Sequence, residues 1–153
     1  LANTVPPTTR PPAQGRRHVR VSVILPSYNF DAFIAEAIRS VQEQSFMDWE
    51  LLIFDNGYRR PKPQYSRVIE VEFDPEQKQA QIVWEYRETP DFYSFALGSA
   101  QALDNGNVLV TDGINGRVVE VTRDKHKAWE FLVQKYYWIY KAVNVPRSFF
   151  TDW

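Results

Sequence analysis

Cysteine is absent from the 153 residues, which excludes disulfide scaffolds and thiolate metal sites. Histidine is scarce. His18 and His126 are the two present, so imidazole chemistry has few places to reside. Long apolar runs are also missing. The best examples, residues 23–25 and 51–54, are a handful long, far short of the roughly 20 needed to cross a bilayer. No secretory leader is expected either, because the N-terminal stretch lacks an apolar segment of about 7–15 residues. Charge of one sign is not in excess: 18 Lys plus Arg stand against 19 Asp plus Glu. That balance speaks against bulk nucleic acid as a partner. Against these shortages, 44% of residues are hydrophobic and 15% aromatic, enough for a packed core and too many for a wholly disordered chain. The first residue is Leu1, not Met, so a fragment or a processed piece is expected.

Residues 1–20 stand apart. They hold Pro6, Pro7, Pro11 and Pro12, no acid, and Arg10, Arg16, Arg17 and Arg20. Proline removes backbone donors and the segment has little to bury, so a disordered basic arm is expected. Residues 21–57 read as strand, helix, strand. Val21-Ser22-Val23-Ile24-Leu25 is a β-branched apolar run typical of a buried parallel strand. Asp31 is a candidate cap for a helix over 31–44, with Ile34, Ala37, Ile38 and Val41 on one face. A second buried strand runs over 49–54, and Asp55-Asn56-Gly57 closes it, completing a β-α-β unit.

Residues 58–153 change character. Short strands are expected at 67–73, 81–86, 108–111, 117–121 and 128–132, separated by turn residues. Asn105-Gly106 and Asn115-Gly116 are hairpin signals, since both residue types tolerate positive φ. Three segments recur in the same order. Ile53-Phe54-Asp55-Asn56-Gly57 matches Val110-Thr111-Asp112-Gly113. Arg67-Val68-Ile69-Glu70-Val71 matches Arg117-Val118-Val119-Glu120-Val121. Trp84-Glu85-Tyr86 matches Trp129-Glu130-Phe131. The offsets of 57, 50 and 45 residues shrink because the first copy has the longer loops. Repeated strands at this period describe β-propeller blades, with each Trp filling the layer between blades. The expected fold class is therefore mixed α+β: a β-α-β unit followed by antiparallel hairpins resembling two blades. Exposed β edges in so short a stack give a surface for self-association.

Two stretches resemble known families. From about residue 50 onward, the landmarks IFDNGYRRP, YSRVIEVEFDP, VWEYR, FYSFALGSAQAL, DNGNVLVTDGINGRVVEVT and AWEF resemble the bacterial arylsulfotransferase-like propeller family. That resemblance implies sulfate transfer between phenolic compounds through a sulfated histidine. It places Asn56 and Arg67 at the sulfate, where an amide donor and a guanidinium fork suit a tetrahedral anion. It also implies a periplasmic or secreted protein. Residues 21–57 are similar to the start of a family 2 glycosyltransferase of the GT-A fold, through the strand ending in Pro-Ser-Tyr-Asn, the Ala-Ile-Arg-Ser-Val helix and the Trp-Glu strand ending in Asp-Asn-Gly. This second resemblance implies a nucleotide-sugar ligand, a divalent Mn or Mg, and a cytoplasmic protein. Pro26, Tyr28, Asn29 and Asp55 would line the nucleotide pocket, with Tyr28 against the base and Asp55 accepting a hydrogen bond from it.

Neither catalytic set is complete in the sequence. No Asp-Xaa-Asp metal motif occurs. His18 falls in the basic arm, and His126 falls in the charged turn Arg123-Asp124-Lys125-His126-Lys127 with no base beside it. Closed propellers typically need about four to eight blades, so the expectation is a fragment, a natural fusion or a chimera. The aromatic cluster Tyr136, Tyr137, Trp138 and Tyr140 is read as a last strand or a packing edge that leaves an adhesive patch. A third reading of the whole is a non-enzymatic β-rich interaction module.

Overall fold

The computed structural model describes residues 21–27, 31–46, 48–74, 77, 79–88, 92–134, 137–145 and 149. The basic arm, and with it His18, lies outside them, as do Tyr28, Asn29 and Tyr136. Eight strands and one helix follow in the order β1 (Val21–Ser27), α1 (Asp31–Gln42), β2 (Trp49–Asp55), β3 (Arg67–Asp74), β4 (Gln79–Tyr86), β5 (Gly98–Ala102), β6 (Val108–Asp112), β7 (Arg117–Val121) and β8 (Lys127–Leu132). They form two four-stranded sheets, β1-β2-β3-β4 and β5-β6-β7-β8. The molecule is thus mostly β. Its helical part, among the described residues, is the crossover α1, two residues shorter than the expected 31–44.

β1 and β2 pair in parallel, Val21 opposite Trp49 through Ser27 opposite Asp55, as a strand–helix–strand crossover requires. Every other pairing is antiparallel. β2 binds β1 on one side and β3 on the other, so one sheet runs through position 57, between the two expected units. Pro26 lies on β1, the edge strand at the inner end of that sheet, where a strand tolerates a residue without an N–H.

The sequence repeat is also a structural repeat. Asp55 lies opposite Arg67, and Asp112 lies opposite Arg117. Glu70 faces Trp84 and the register then shifts at Glu70/Val71. Glu120 faces Trp129 and the register shifts at Glu120/Val121. A bulge at the same place in each copy re-aims the same outer strand. The inner strands differ: β5 is antiparallel to its neighbour and β1 is parallel.

Side-chain alternation assigns the two faces of each sheet. Leu52, Phe54, Val68, Trp84 and Tyr86 of the first sheet pack against Val108, Val110, Val119 and Val121 of the second. Trp84 and Tyr86 stack at 6.2 Å within this layer. Burying each such side chain contributes about 1.5–3 kcal/mol. The opposite face of the first sheet carries Leu51, Ile53, Ile69 and Val71, and Ile34 and Ile38 of α1 cover it. These four are the repeat counterparts of Val108, Val110, Val119 and Val121. The helix therefore stands on the first sheet where the first sheet stands on the second.

β5 has no counterpart among the expected strands. Gly98-Ser99-Ala100-Gln101-Ala102 is small and weak in β-branched residues, so its strand state is set by tertiary contact. A Cβ built on Gly98 would fall 2.2 Å from the Phe54 ring, so only glycine lets β5 approach β2. The expected hairpin turns are present, with Gly106 at φ 85° and Gly116 at φ 61°. Of the two readings of the aromatic cluster, last strand or packing edge, the strand is not found: residues 137–145 form no strand. They cross the second sheet through Ile139 N to Gly113 O at 3.0 Å and Ala142 N to Thr111 Oγ1 at 3.1 Å. No helix among the described residues is long and apolar enough to cross a membrane.

Candidate functional site

The inner strands β1 and β5 abut, and the end of the sheets bearing Asp55 and Asp112 holds the family-like landmarks. Three of those segments meet there. Asn56 Nδ2 donates to Ser94 O at 2.8 Å. Ser66 Oγ donates to Asn56 O at 2.9 Å and to Ser94 O at 3.2 Å. Ser94 N returns a bond to Ser66 Oγ at 2.8 Å, and Ser94 Oγ donates to Leu97 O at 2.7 Å. Asn56, Ser66 and Ser94 are all buried. A buried polar network of this kind stays in place because each unpaired member would cost about 1–3 kcal/mol. Asn56 N also donates to Ser27 O at 3.1 Å, which ties the end of β1 to the same knot.

Beside this knot lies a cleft of about 460 Å³ lined by Pro26, Asn56, Gly98, Ser99, Tyr140 and Lys141, among others. It brings together one residue from each expected site, Pro26 and Asn56. Ser99 Oγ donates to Thr111 Oγ1 at 3.1 Å, so this wall is fixed from behind. Lys141 is exposed and makes no ion pair among the described residues.

Asp55 and Arg67 lie outside the lining. Arg67 Nε donates to Asp55 Oδ2 at 2.9 Å, and Arg60 Nη2 reaches the same oxygen at 2.6 Å. Arg67 also stands 3.6 Å from Glu85. Burial alone would lower the Arg67 pKa, but Asp55 and then Glu85 hold it above the ordinary value. The guanidinium planes of Arg60 and Arg87 lie over the Tyr65 ring at 4.0 and 4.6 Å. Three arginines thus gather on the loop side of β3, around Tyr65 and Asp55.

The second copy uses the same residues differently. Asp112 is fully buried, and Asn115 Nδ2 donates to both its oxygens at 2.8 and 2.9 Å. Burial pushes its pKa up, against the pull of Asn115, Ser94 and Arg117. Arg117 turns away to Glu130 and Glu88 at 2.5 and 3.0 Å. The Asp112-to-Gly116 segment is therefore a hairpin turn held by its own carboxylate. His126 lies in the β7–β8 turn with its side chain 79% exposed and its Nε2 3.5 Å from Asp124. It is not among the residues that line the cleft.

Sequence reasoning missed Ser66, Ser94, Ser99 and Lys141. For Ser66 a signal existed, since it sits in the Tyr-Ser-Arg landmark. Lys141 carried none, because an isolated lysine after an aromatic cluster reads as an exposed rim.

Comparison with known proteins gives one family. The model described as arylsulfotransferase (ASST) matches residues 35–141, more than two thirds of the chain. The match begins inside α1, upstream of position 50, and takes in every strand from β2 to β8. No curated protein matches the chain.

Proposed function

The chain belongs to the arylsulfotransferase family, and on that premise we propose that it is an arylsulfotransferase-like propeller segment whose cleft between β1 and β5 binds an aryl sulfate. The cleft's meeting of Asn56 with Lys141 carries this reading. Lys141 supplies an uncompensated positive charge for the sulfate, and the amide and hydroxyl groups of Asn56 and Ser99 give the cleft wall its polarity. Ile24, Pro26 and Leu97 offer apolar surface to the aryl ring. Arg67, held by Asp55 and Glu85, contributes to the field at this end of the sheets and positions the β2–β3 loop that carries Asn56. Sulfate transfer between phenols is the chemistry of the family reading. In this chain the one described imidazole, His126, is in an exposed turn. We therefore propose binding without efficient transfer. Titration calorimetry with 4-nitrophenyl sulfate tests the binding, and release of 4-nitrophenolate in the presence of phenol tests the transfer. Heat of binding that Lys141→Ala abolishes supports the reading. Binding that is unchanged in Lys141→Ala contradicts it.

A second reading, a truncated family 2 glycosyltransferase start, draws on one observation: β1, α1 and β2 form a parallel crossover whose strand end places Pro26 at the cleft. Asp55 would then face a nucleotide base, and it would first have to release Arg60 or Arg67. The Mn or Mg of that reading does not fit the described residues, among which no group of three or more metal-ligating side chains gathers. A thermal-shift measurement with UDP separates the two, since the sulfate reading expects no shift.

A further inference from the structure

We propose that Tyr140 is the residue by which the cleft between β1 and β5 prefers aryl to alkyl sulfates, and that the buried hydroxyl of Thr111 positions it. The proposal rests on the aryl sulfate reading of that cleft. Tyr140 supplies the one aromatic ring in the described lining and is next in the chain to Lys141. A sulfate ester held at Lys141 carries its organic group into a cleft whose wall includes that ring. Offset or edge-on packing of two rings is worth more than contact of a ring with an alkyl chain, and so separates the two classes of ester.

The segment that carries both residues is tied on either side of them. Ile139 N donates to Gly113 O at 3.0 Å, and Ala142 N donates to Thr111 Oγ1 at 3.1 Å. Tyr140 and Lys141 are the residues between these ties. Further along, Asn144 N donates to Gln101 Oε1 at 2.7 Å, and Gln101 Nε2 returns a bond to Asn144 O at 3.1 Å. Ile139 and Ala142 also pack against Leu103, Leu109 and Val118. A Cβ built on Gly113 would fall 2.4 Å from Ile139 O, so glycine is what lets the segment come this close. A stretch of chain with no strand pairing of its own is thus held at the cleft by side chains and turn backbone of the second sheet.

Thr111 is the anchor shared by two walls. It is fully buried and lies opposite Ser99 in the β5–β6 register. Its oxygen accepts from Ser99 Oγ, in the cleft wall on β5, and from Ala142 N, at the residue after Lys141. A hydroxyl oxygen has two lone pairs, and both are used here. Loss of that oxygen leaves the Ala142 N–H without its acceptor and unfastens the wall that carries Tyr140. Thr111 is not in the cleft lining, so it acts on the ligand through Tyr140 and Lys141.

Titration calorimetry of the 153-residue protein with 4-nitrophenyl sulfate and with hexyl sulfate tests this. The wild type is expected to bind the aryl ester more tightly. Tyr140→Ala is expected to lower aryl affinity about three- to tenfold, as for one aromatic pair, with little change for hexyl sulfate. Tyr140→Phe is expected to keep the preference. Thr111→Val is expected to lose it and Thr111→Ser to retain it. The double variant Tyr140→Ala/Thr111→Val is expected to lose no more preference than Tyr140→Ala alone, a non-additivity that a merely structural role for Thr111 would not produce. The wild-type Tyr140 ring signals in NMR, which need no variant, are expected to move with the aryl ester and far less with the alkyl one. An aryl-to-alkyl ratio unchanged in Tyr140→Ala, or unchanged in folded Thr111→Val, overturns the proposal and leaves the cleft reading standing. No binding of either ester, or binding indifferent to Lys141→Ala, overturns the cleft reading and the proposal with it.

Discussion

Asp55 and Arg67 stand opposite each other across β2 and β3 and form a salt bridge of 2.9 Å, whereas the repeat-equivalent Asp112 and Arg117 stand opposite each other and do not pair. One backbone register thus serves two electrostatic arrangements. The difference follows from burial. Asp55 keeps partial solvent access and two arginines, while Asp112 is closed off and held by an amide.

That asymmetry predicts unequal costs. Arg117→Ala removes a largely buried cation and leaves Glu88 and Glu130 with the more distant, exposed Lys127 at 3.8 Å, and is expected to cost about 1.5–3 kcal/mol. Arg67→Ala leaves Asp55 with Arg60 and is expected to cost about 1 kcal/mol or less, as for a partly exposed pair. Urea denaturation of both variants checks the order.

Two carboxylates give opposite pH signatures. Burial tends to raise Glu88, but the neighbouring Tyr86 and Arg117 bring its pKa below the ordinary glutamate value of 4.5. Its contribution to stability is present above about pH 4.5 and is lost as pH falls through the lower, folded-state value. Asp112 is raised above 3.8 in the folded state, so its ionised form opposes folding at neutral pH and its protonation favours it. Asp112→Asn removes this titration but sets an amide N–H against the Asn115 Nδ2 donor, so it is expected to lower neutral-pH stability and to flatten the dependence on pH below neutrality. Glu88→Gln is expected to lower neutral-pH stability and remove part of the acid loss. Thermal unfolding from pH 3 to 7 (on the order of the carboxylate range) reads both.

The repeated tryptophans separate core from surface. Trp84 is in the layer between sheets, and its indole N–H donates to Arg123 O at 3.0 Å. Trp84→Ala is expected to cost about 3–5 kcal/mol. Trp129→Ala, at an exposed position on the second sheet, is expected to cost less than about 1 kcal/mol. Chemical denaturation of both variants distinguishes the two roles.

Much of this was legible in the chain and some was not. The helix α1 and the buried strand β2 follow from apolar spacing, and the repeat follows from matched Arg, Glu and Trp positions that recur in register down to the bulge. β5 was not legible, because small residues with no alternation carry no period, and its strand depends on Gly98 meeting the Phe54 ring. The seat of α1 on the first sheet was hidden for a similar reason: an amphipathic helix announces that it packs, not where. Asn56 was legible as a site residue through its landmark. Its ties to Ser66 and Ser94, 10 and 38 residues along, depend on loops whose path no local signal records.

Gly98 allows a direct check of that close approach. Gly98→Ala places a methyl group against the Phe54 ring and is expected to cost about 1–3 kcal/mol. Pairing it with Phe54→Leu is expected to recover part of that loss, giving a non-additive double-mutant cycle. Additive costs would show that β5 and β2 are not packed as described.

The most direct test of the proposed function is a two-dimensional NMR titration of the protein with 4-nitrophenyl sulfate. The expected result is saturable shifts at the Asn56 side-chain amide and the Gly98, Ser99 and Lys141 backbone amides, absent in Lys141→Ala. Shifts confined to Trp129 and Phe131 on the second sheet, or no shifts at millimolar ligand, would contradict an aryl sulfate site in the cleft between β1 and β5.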